Sequence, residues 1–224
     1  IFFWKNYMYV TDNCGDLICF NVNTMEVVWV QDVLDDTNCT PVFEMNEETG
    51  EASIYVGTSL HWTVDGNNTG VIPFWRIDAL TGEIVWKAPG YRCTRSNVSG
   101  GIQDTAALGK GKLSDLVYVA YAMTTETETR GLLVAYNKAD GTEVWKKHLG
   151  AYAWSSPLIL YDDNGDGYVV QCDSAGHMYL FDGRTGETLD RLDLEGNFEA
   201  SPAAFDNMIV VGTRASKIYG VKLK

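Results

Sequence analysis

The chain has 224 residues, with 17 Lys and Arg against 30 Asp and Glu and a net charge of −13 with His neutral. Its longest cationic run is the pair Lys146-Lys147, which excludes the clustered basic surface that a phosphate backbone requires. Hydrophobic residues at 46 % and charged residues at 21 % are the proportions of a folded domain with a sizeable core rather than of a disordered chain, and no stretch approaches the ~18 apolar residues of a membrane-spanning helix.

In chain order the predicted elements are short strands rich in β-branched and aromatic residues, bounded by Gly, Asn and Asp. One strand type, B, reads Tyr7 to Val10, Ser53 to Gly57, Leu116 to Ala120, Tyr168 to Gln171 and Met208 to Gly212. A strand A precedes it, clearest at Thr40 to Phe43, Ser156 to Tyr161 and Ser201 to Phe205, and a strand C follows, as in His177 to Phe181. Four segments then align without gaps: Phe20 to Trp29, Ile77 to Trp86, Tyr136 to Trp145 and Phe181 to Asp190. Their anchors, with Val221 as a fifth, recur at spacings of about 40 to 60 residues, the period of propeller blades. The expected fold is therefore an all-β propeller of four-stranded antiparallel blades, with blades at roughly 1–34, 35–90, 91–150, 151–196 and 197–224.

The segment Asp78-Ala-Leu-Thr-Gly82-Glu-Ile-Val-Trp86 fits the pattern Asp-x-x-Thr-Gly-x-x-x-Trp, and through it the sequence resembles the PQQ-like, quinoprotein-type β-propeller repeats over nearly its whole length. The resemblance implies that Thr-Gly turns strand C into an outer strand D and that the Trp docks between blades, which assigns Trp29, Trp86 and Trp145 to structural docking. Blade 4 has Asp190 at that position, so docking is expected to be weakest there. Residue 1 falls inside a strand A and the last residues form a strand C. The expectation is thus five blades of a seven- or eight-bladed ring, with the remaining blades in a longer parent.

The quinoprotein alcohol dehydrogenases of this family hold a quinone on a Trp floor, under a disulfide between adjacent cysteines and beside calcium bound by Glu, Asn and Asp. The five cysteines here, Cys14, Cys19, Cys39, Cys93 and Cys172, include no adjacent pair and no CxxC. No quinone cofactor is expected. His61, His148 and His177 fall in different blades, and no nucleophile elbow, P-loop or HExxH motif occurs. An enzyme is not expected; a quinone-dependent oxidoreductase fragment and a purely structural propeller are the alternatives.

Asp162-Asp-Asn164-Gly-Asp166-Gly opens like a calcium loop, with oxygen ligands at alternate positions and Gly at the sixth, but its twelfth residue is Asp173 rather than a bidentate Glu. Asp162, Asn164 and Asp166 are a candidate structural calcium site, with a solvated turn as the alternative. Cys39 and Cys93 are the expected disulfide, since both fall in segments joining strand D to the next strand A in neighbouring blades.

The D-to-A and B-to-C connections share one face, and the long insertions lie there: Asp35 to Asn38, Ser59 to Gly70, Tyr91 to Gln103, Ala122 to Arg130 and Ala151 to Trp154. Loops elaborated on one face of a rigid scaffold are where binding concentrates. Asp36, Asn38, His61, Trp62, Arg92, Arg95, Tyr152 and Trp154 are therefore the candidate ligand-binding residues, suited to a protein, peptide or glycan partner. The expected compartment is extracytoplasmic, with no signal in this chain.

Overall fold

The computed structural model describes residues 1–127 and 130–223; Glu128 and Thr129, within the Ala122-to-Arg130 loop, and Lys224 lie outside the described residues. Blade 1 is a four-stranded antiparallel sheet of Phe2–Trp4, Tyr7–Thr11, Asp16–Asn21 and Val27–Asp32 in chain order. Blade 2 repeats it with Val42–Met45, Ala52–Gly57, Phe74–Asp78 and Ile84–Lys87, and blade 4 with Leu158–Tyr161, Gly167–Cys172, His177–Asp182 and Thr188–Asp193. Blade 3 is built on Ala107–Leu108, Leu116–Thr124, Arg130–Asn137 and Glu143–His148, and blade 5 has three strands, Ala203–Phe205, Met208–Gly212 and Ile218–Lys222.

The sequence repeat acts through two turns. After strand C, the side-chain oxygen of Asn21, Asp78, Asn137 or Asp182 accepts a backbone N–H two or three residues on, which folds the chain back as an Asx turn. Four residues beyond Asp78, Asn137 and Asp182 the chain takes a positive φ, at Gly82 (76°), Gly141 (73°) and Gly186 (71°). A β-carbon on any of these glycines would lie 2.6 to 2.7 Å from the indole of Trp29, Trp86 or Trp145 in the preceding blade. Glycine is thus required twice at one position, for the backbone and for the ring that covers it.

Each indole also donates its N–H to the next blade, Trp29 to the Ala79 carbonyl at 3.3 Å, Trp86 to Lys138 at 2.8 Å and Trp145 to Gly183 at 3.0 Å. The three tryptophans therefore occupy equivalent sites, and each closes the outer part of one joint. Apolar clusters fill the joints between blades 1 and 2 (Tyr9, Leu17, Ile54, Trp75), 2 and 3 (Tyr55, Phe74, Tyr121, Val134), 3 and 4 (Tyr118, Leu133, Phe181) and 4 and 5 (Cys172, Phe198, Val211). Strand B is buried along its whole length in blades 2 and 3, and predominantly apolar, because both of its faces lie between neighbours.

Strand A is innermost, since its entry residues bridge blade to blade. The Thr40 N–H donates to Thr105 Oγ1 (3.2 Å), Thr105 N–H to Ser156 Oγ (3.0 Å) and Ser156 N–H to Ser201 Oγ (3.0 Å). One repeated Ser/Thr column, followed by proline at 41, 157 and 202, thus forms an inner hydroxyl rim. The outward faces of blades 1 and 5 expose apolar side chains, including Phe3, Val28, Val30, Ile218 and Phe205, the last 88 % exposed.

Two segments expected as open loops contain strands. Thr69–Ile72, inserted in blade 2, pairs antiparallel with Tyr91–Thr94, while Ser59–Leu60 pairs with Gly100–Ile102, which in turn pairs with Leu116–Thr124 of blade 3. The insertion of one blade is thereby hydrogen-bonded into the sheet of the next.

Candidate functional site on the loop face

The loop face is organised by two buried carboxylates, Asp35 and Asp173, that are not among the candidate ligand-binding residues. Asp35 is fully buried and accepts hydrogen bonds from the backbone N–H groups of His61 (3.0 Å), Trp62 (2.9 Å) and Thr63 (2.9 Å) and from Thr63 Oγ1 (2.7 Å). Burial alone would raise its pKa; the donors of Thr63, His61 and Asp36 outweigh that and hold the carboxyl below its ordinary value. This clamp fixes the segment bearing His61 and Trp62. Asp173, equally buried, accepts the N–H groups of Gly150 and Ala151 (3.1 Å each), the Tyr179 hydroxyl (3.1 Å) and a contact with His177 Nδ1 (2.8 Å), and so fixes the segment bearing Tyr152 and Trp154.

Around the first clamp the structure assembles four of the expected residues. Asp36 is buried, with Oδ2 accepting from Asn38 Nδ2 (3.0 Å) and Ser59 Oγ (3.2 Å) and lying 3.6 Å from His61 Nδ1. His61 packs against Trp62 with ring centroids 4.3 Å apart, and Trp62 donates its indole N–H to the Asn13 carbonyl (3.0 Å) while 64 % exposed. Arg95 joins them by donating to the His61 carbonyl at 2.6 Å. A large, exposed, positionally fixed indole is the residue type that anchors protein interfaces.

Tyr152 and Trp154 form a second group, with centroids 5.5 Å apart; the Tyr152 hydroxyl donates to Glu199 (2.8 Å) and accepts from Asn197 (2.9 Å), and Glu199 pairs with Arg214. Trp154 donates to the Ser99 carbonyl (3.2 Å), so the inserted 95–103 segment lies against both groups. Arg92 is engaged elsewhere, with Asp65 (2.8 Å) and Thr69 (2.7 Å) on the paired insertion strand. Gln103, which accepts from Asn38 Nδ2 (3.1 Å), and Glu199 were missed, although both stand two residues before the Ser/Thr column in the same repeat position as Asn38 and Trp154. Aligning that column is the signal that finds them.

Asp104 occupies the next position, where the neighbouring blades have Cys39 and Ser155. It is fully buried, with one oxygen accepting the Ala120 N–H (3.0 Å) and the other without a partner among the described residues. Burial pushes its pKa up to about 8, against the opposing effect of the Ala120 hydrogen bond.

One expectation is corrected. Cys39 and Cys93 are separate thiols: Cys39 lies in the joint between blades 1 and 2 and donates to the Gly57 carbonyl (3.1 Å), whereas Cys93 lies on the strand Tyr91–Thr94 in the joint between blades 2 and 3. A sheet stands between the two clusters. Asp162, Asn164 and Asp166 do not converge as a cation cage: one Asp162 oxygen accepts the N–H groups of Asn164 (2.9 Å) and Asp166 (2.8 Å), and Asp166 pairs with Lys112 (2.7 Å). Among the described residues no group of three or more His, Cys, Asp or Glu is arranged to hold a metal ion.

The five radial sheets and the inter-blade indoles define the blades of a β-propeller. In particular, the family model described as outer membrane protein assembly factor BamB matches residues 129–224. Among solved structures, BamB from Moraxella catarrhalis superposes with a TM-score of 0.63 at 14 % identity, covering 98 % of this chain and 59 % of its own. Quinohemoprotein alcohol dehydrogenase from Comamonas testosteroni does so with 0.65 at 13 % identity, covering 97 % and 40 %, and the computationally designed Ika4 protein with 0.54 at 15 % identity, covering 84 % and 91 %. The chain therefore spans about three fifths of that BamB and two fifths of that dehydrogenase. No curated protein matches the chain in sequence.

Proposed function

We propose that this chain is a non-catalytic, extracytoplasmic binding module that presents the loop face of a PQQ-like propeller to a partner protein. The observation that carries the reading is Trp62, exposed yet fixed by the Asp35 clamp and by its own bond to Asn13. An interface anchor of that kind loses little entropy on binding. The match of the BamB model supports a protein partner over a small substrate, and no described helix is long and apolar enough to cross a membrane. The apolar outward faces of blades 1 and 5 are of the kind that further blades cover, so the module belongs to a larger ring.

The test is site-specific photocrosslinking in cells. A photoreactive residue at position 62 is expected to give a discrete adduct with one protein, and the same residue at Glu48, in the A-to-B turn on the opposite face, none. Adducts of equal pattern from both positions, or none from position 62, would refute the reading. Stoichiometric binding of quinone with calcium would favour the oxidoreductase instead.

A further inference from the structure

The joint between blades 2 and 3 departs from its neighbours at two repeat positions, the residue before the anchor and, from the next blade, the residue two past it. The joint between blades 1 and 2 has Cys19 and Ala79 there, and that between blades 3 and 4 has Ala135 and Gly183. Between blades 2 and 3 the same positions hold Arg76 and Lys138, whose side chains are only 15 % and 8 % exposed. Burying two cations where small residues suffice elsewhere costs desolvation that ion pairs at best repay, so stability does not account for them.

Both residues line a cleft of about 450 Å³ between the two blades, on the face opposite the binding loops. Its charged lining is Glu44, Glu51 and Asp115 against Arg76 and Lys138. Glu44 is taken by the Lys138 ammonium and by the Tyr55 hydroxyl (3.2 Å), and Asp115 is taken through both oxygens by Arg184 (2.7 and 2.8 Å), which is not part of the lining. One charge of each sign is left. Arg76 donates Nε to Ser53 Oγ (2.9 Å) and Nη1 to the Lys138 carbonyl (3.0 Å), but its Nη2 stops 3.6 Å from Glu51 Oε2, beyond hydrogen-bond length. The Glu51 side chain is 66 % exposed, so it swings away at little cost while Arg76 stays fixed. Exposed Met45 and Ala139 supply apolar rim beside them.

We propose that this cleft binds a free α-amino acid with an apolar side chain: Arg76 and Glu51 part to admit it, Arg76 takes its carboxylate, Glu51 takes its ammonium, and Met45 and Ala139 flank its side chain. The occupant follows from the charges. An anion alone would face Glu51 across a like charge, and a cation alone would face the guanidinium of Arg76; a zwitterion answers both, and the volume is that of a small-ligand site. A peptide terminus carries only one of the two charges. The site lies on the face opposite Trp62 and does not depend on the loop-face reading.

Calorimetric titration at neutral pH with norleucine, N-acetylnorleucine and norleucine amide tests it, since the derivatives lack the ammonium and the carboxylate in turn. Norleucine is expected to bind saturably at one site. The amide, without the contact to Arg76, should bind about tenfold more weakly, and the acetylated form, without the contact to exposed Glu51, about fivefold more weakly. Glu51→Gln should bring norleucine and N-acetylnorleucine to about equal affinity while keeping the penalty of the amide. Arg76→Gln should abolish binding; Ala139→Trp, which fills the cleft from its rim, serves if the first variant does not fold. Trp62→Ala should leave norleucine binding unchanged, which separates failure here from failure of the loop-face reading. Absence of saturable norleucine binding, equal binding of norleucine and either derivative by the native protein, a preference over the acetylated form that survives Glu51→Gln, or binding that survives folded Arg76→Gln or Ala139→Trp would each overturn the proposal.

Discussion

Replacing Trp86 with alanine tests the docking of blade on blade most directly. The indole is 8 % exposed, packs near Tyr55 and Phe74 with centroids about 6 Å away, and covers Gly141 of blade 3. Truncating a buried Trp costs about 3 to 5 kcal/mol in transfer and cavity terms. The lost hydrogen bond adds little, because the Lys138 carbonyl keeps a second donor, Arg76 Nη1, at 3.0 Å and is not left unsatisfied. The expected loss is therefore in the lower half of that range, which for a chain of this size lowers the melting temperature by about 10 °C. Gly141→Ala sharpens the assay. Alone it suffers both the positive φ and a β-carbon 2.7 Å from the indole; in the Trp86→Ala background only the backbone strain of about 1 kcal/mol remains. Urea unfolding of the two single variants and the double variant should thus give a loss smaller than the sum of the singles. Additive losses, or a Trp86→Ala melt no lower than that of the exposed Trp62→Ala, would refute the docking argument.

Asp104→Asn should stabilise the protein at pH 8 and above and flatten its pH dependence. The folded pKa of about 8 lies above the unfolded value, so the native state binds the extra proton and its stability falls as pH rises from the unfolded pKa through the folded one; melting temperature against pH for both proteins checks the sign. All five thiols should titrate with a disulfide reagent in denaturant under non-reducing conditions, and only exposed Cys14 rapidly in the native state, because burial pushes Cys39, Cys93 and Cys172 up to about 12; a missing pair of thiols would restore the bridge. Calcium at low millimolar concentration should give no heat, since Asp166 is paired with Lys112 and Asp162 with its own turn; a saturable isotherm that Asp166→Ala abolishes would show otherwise.

The blades and their joints are set by patterns readable along the chain. Strand alternation, the Asx turn, the glycine at positive φ and the Trp that covers it are set by residues close together in the chain and repeated at each blade, so one aligned column exposes all of them. That Trp29, Trp86 and Trp145 share one environment, and that Asp190 breaks the pattern, were legible in that way. The loop face was legible only as a direction. Asp35 acquires its role from donors 26 to 28 residues away and Asp173 from some that precede it by more than 20, separations that carry no period. The same holds for the pairing of the two insertions, which decided that Arg92 meets Asp65 and that Cys93 is sealed in a different joint from Cys39. Local turns are fixed by local chemistry. The partners of a buried carboxylate or thiol are fixed by which distant segments pack over it, and that only the assembled joints decide.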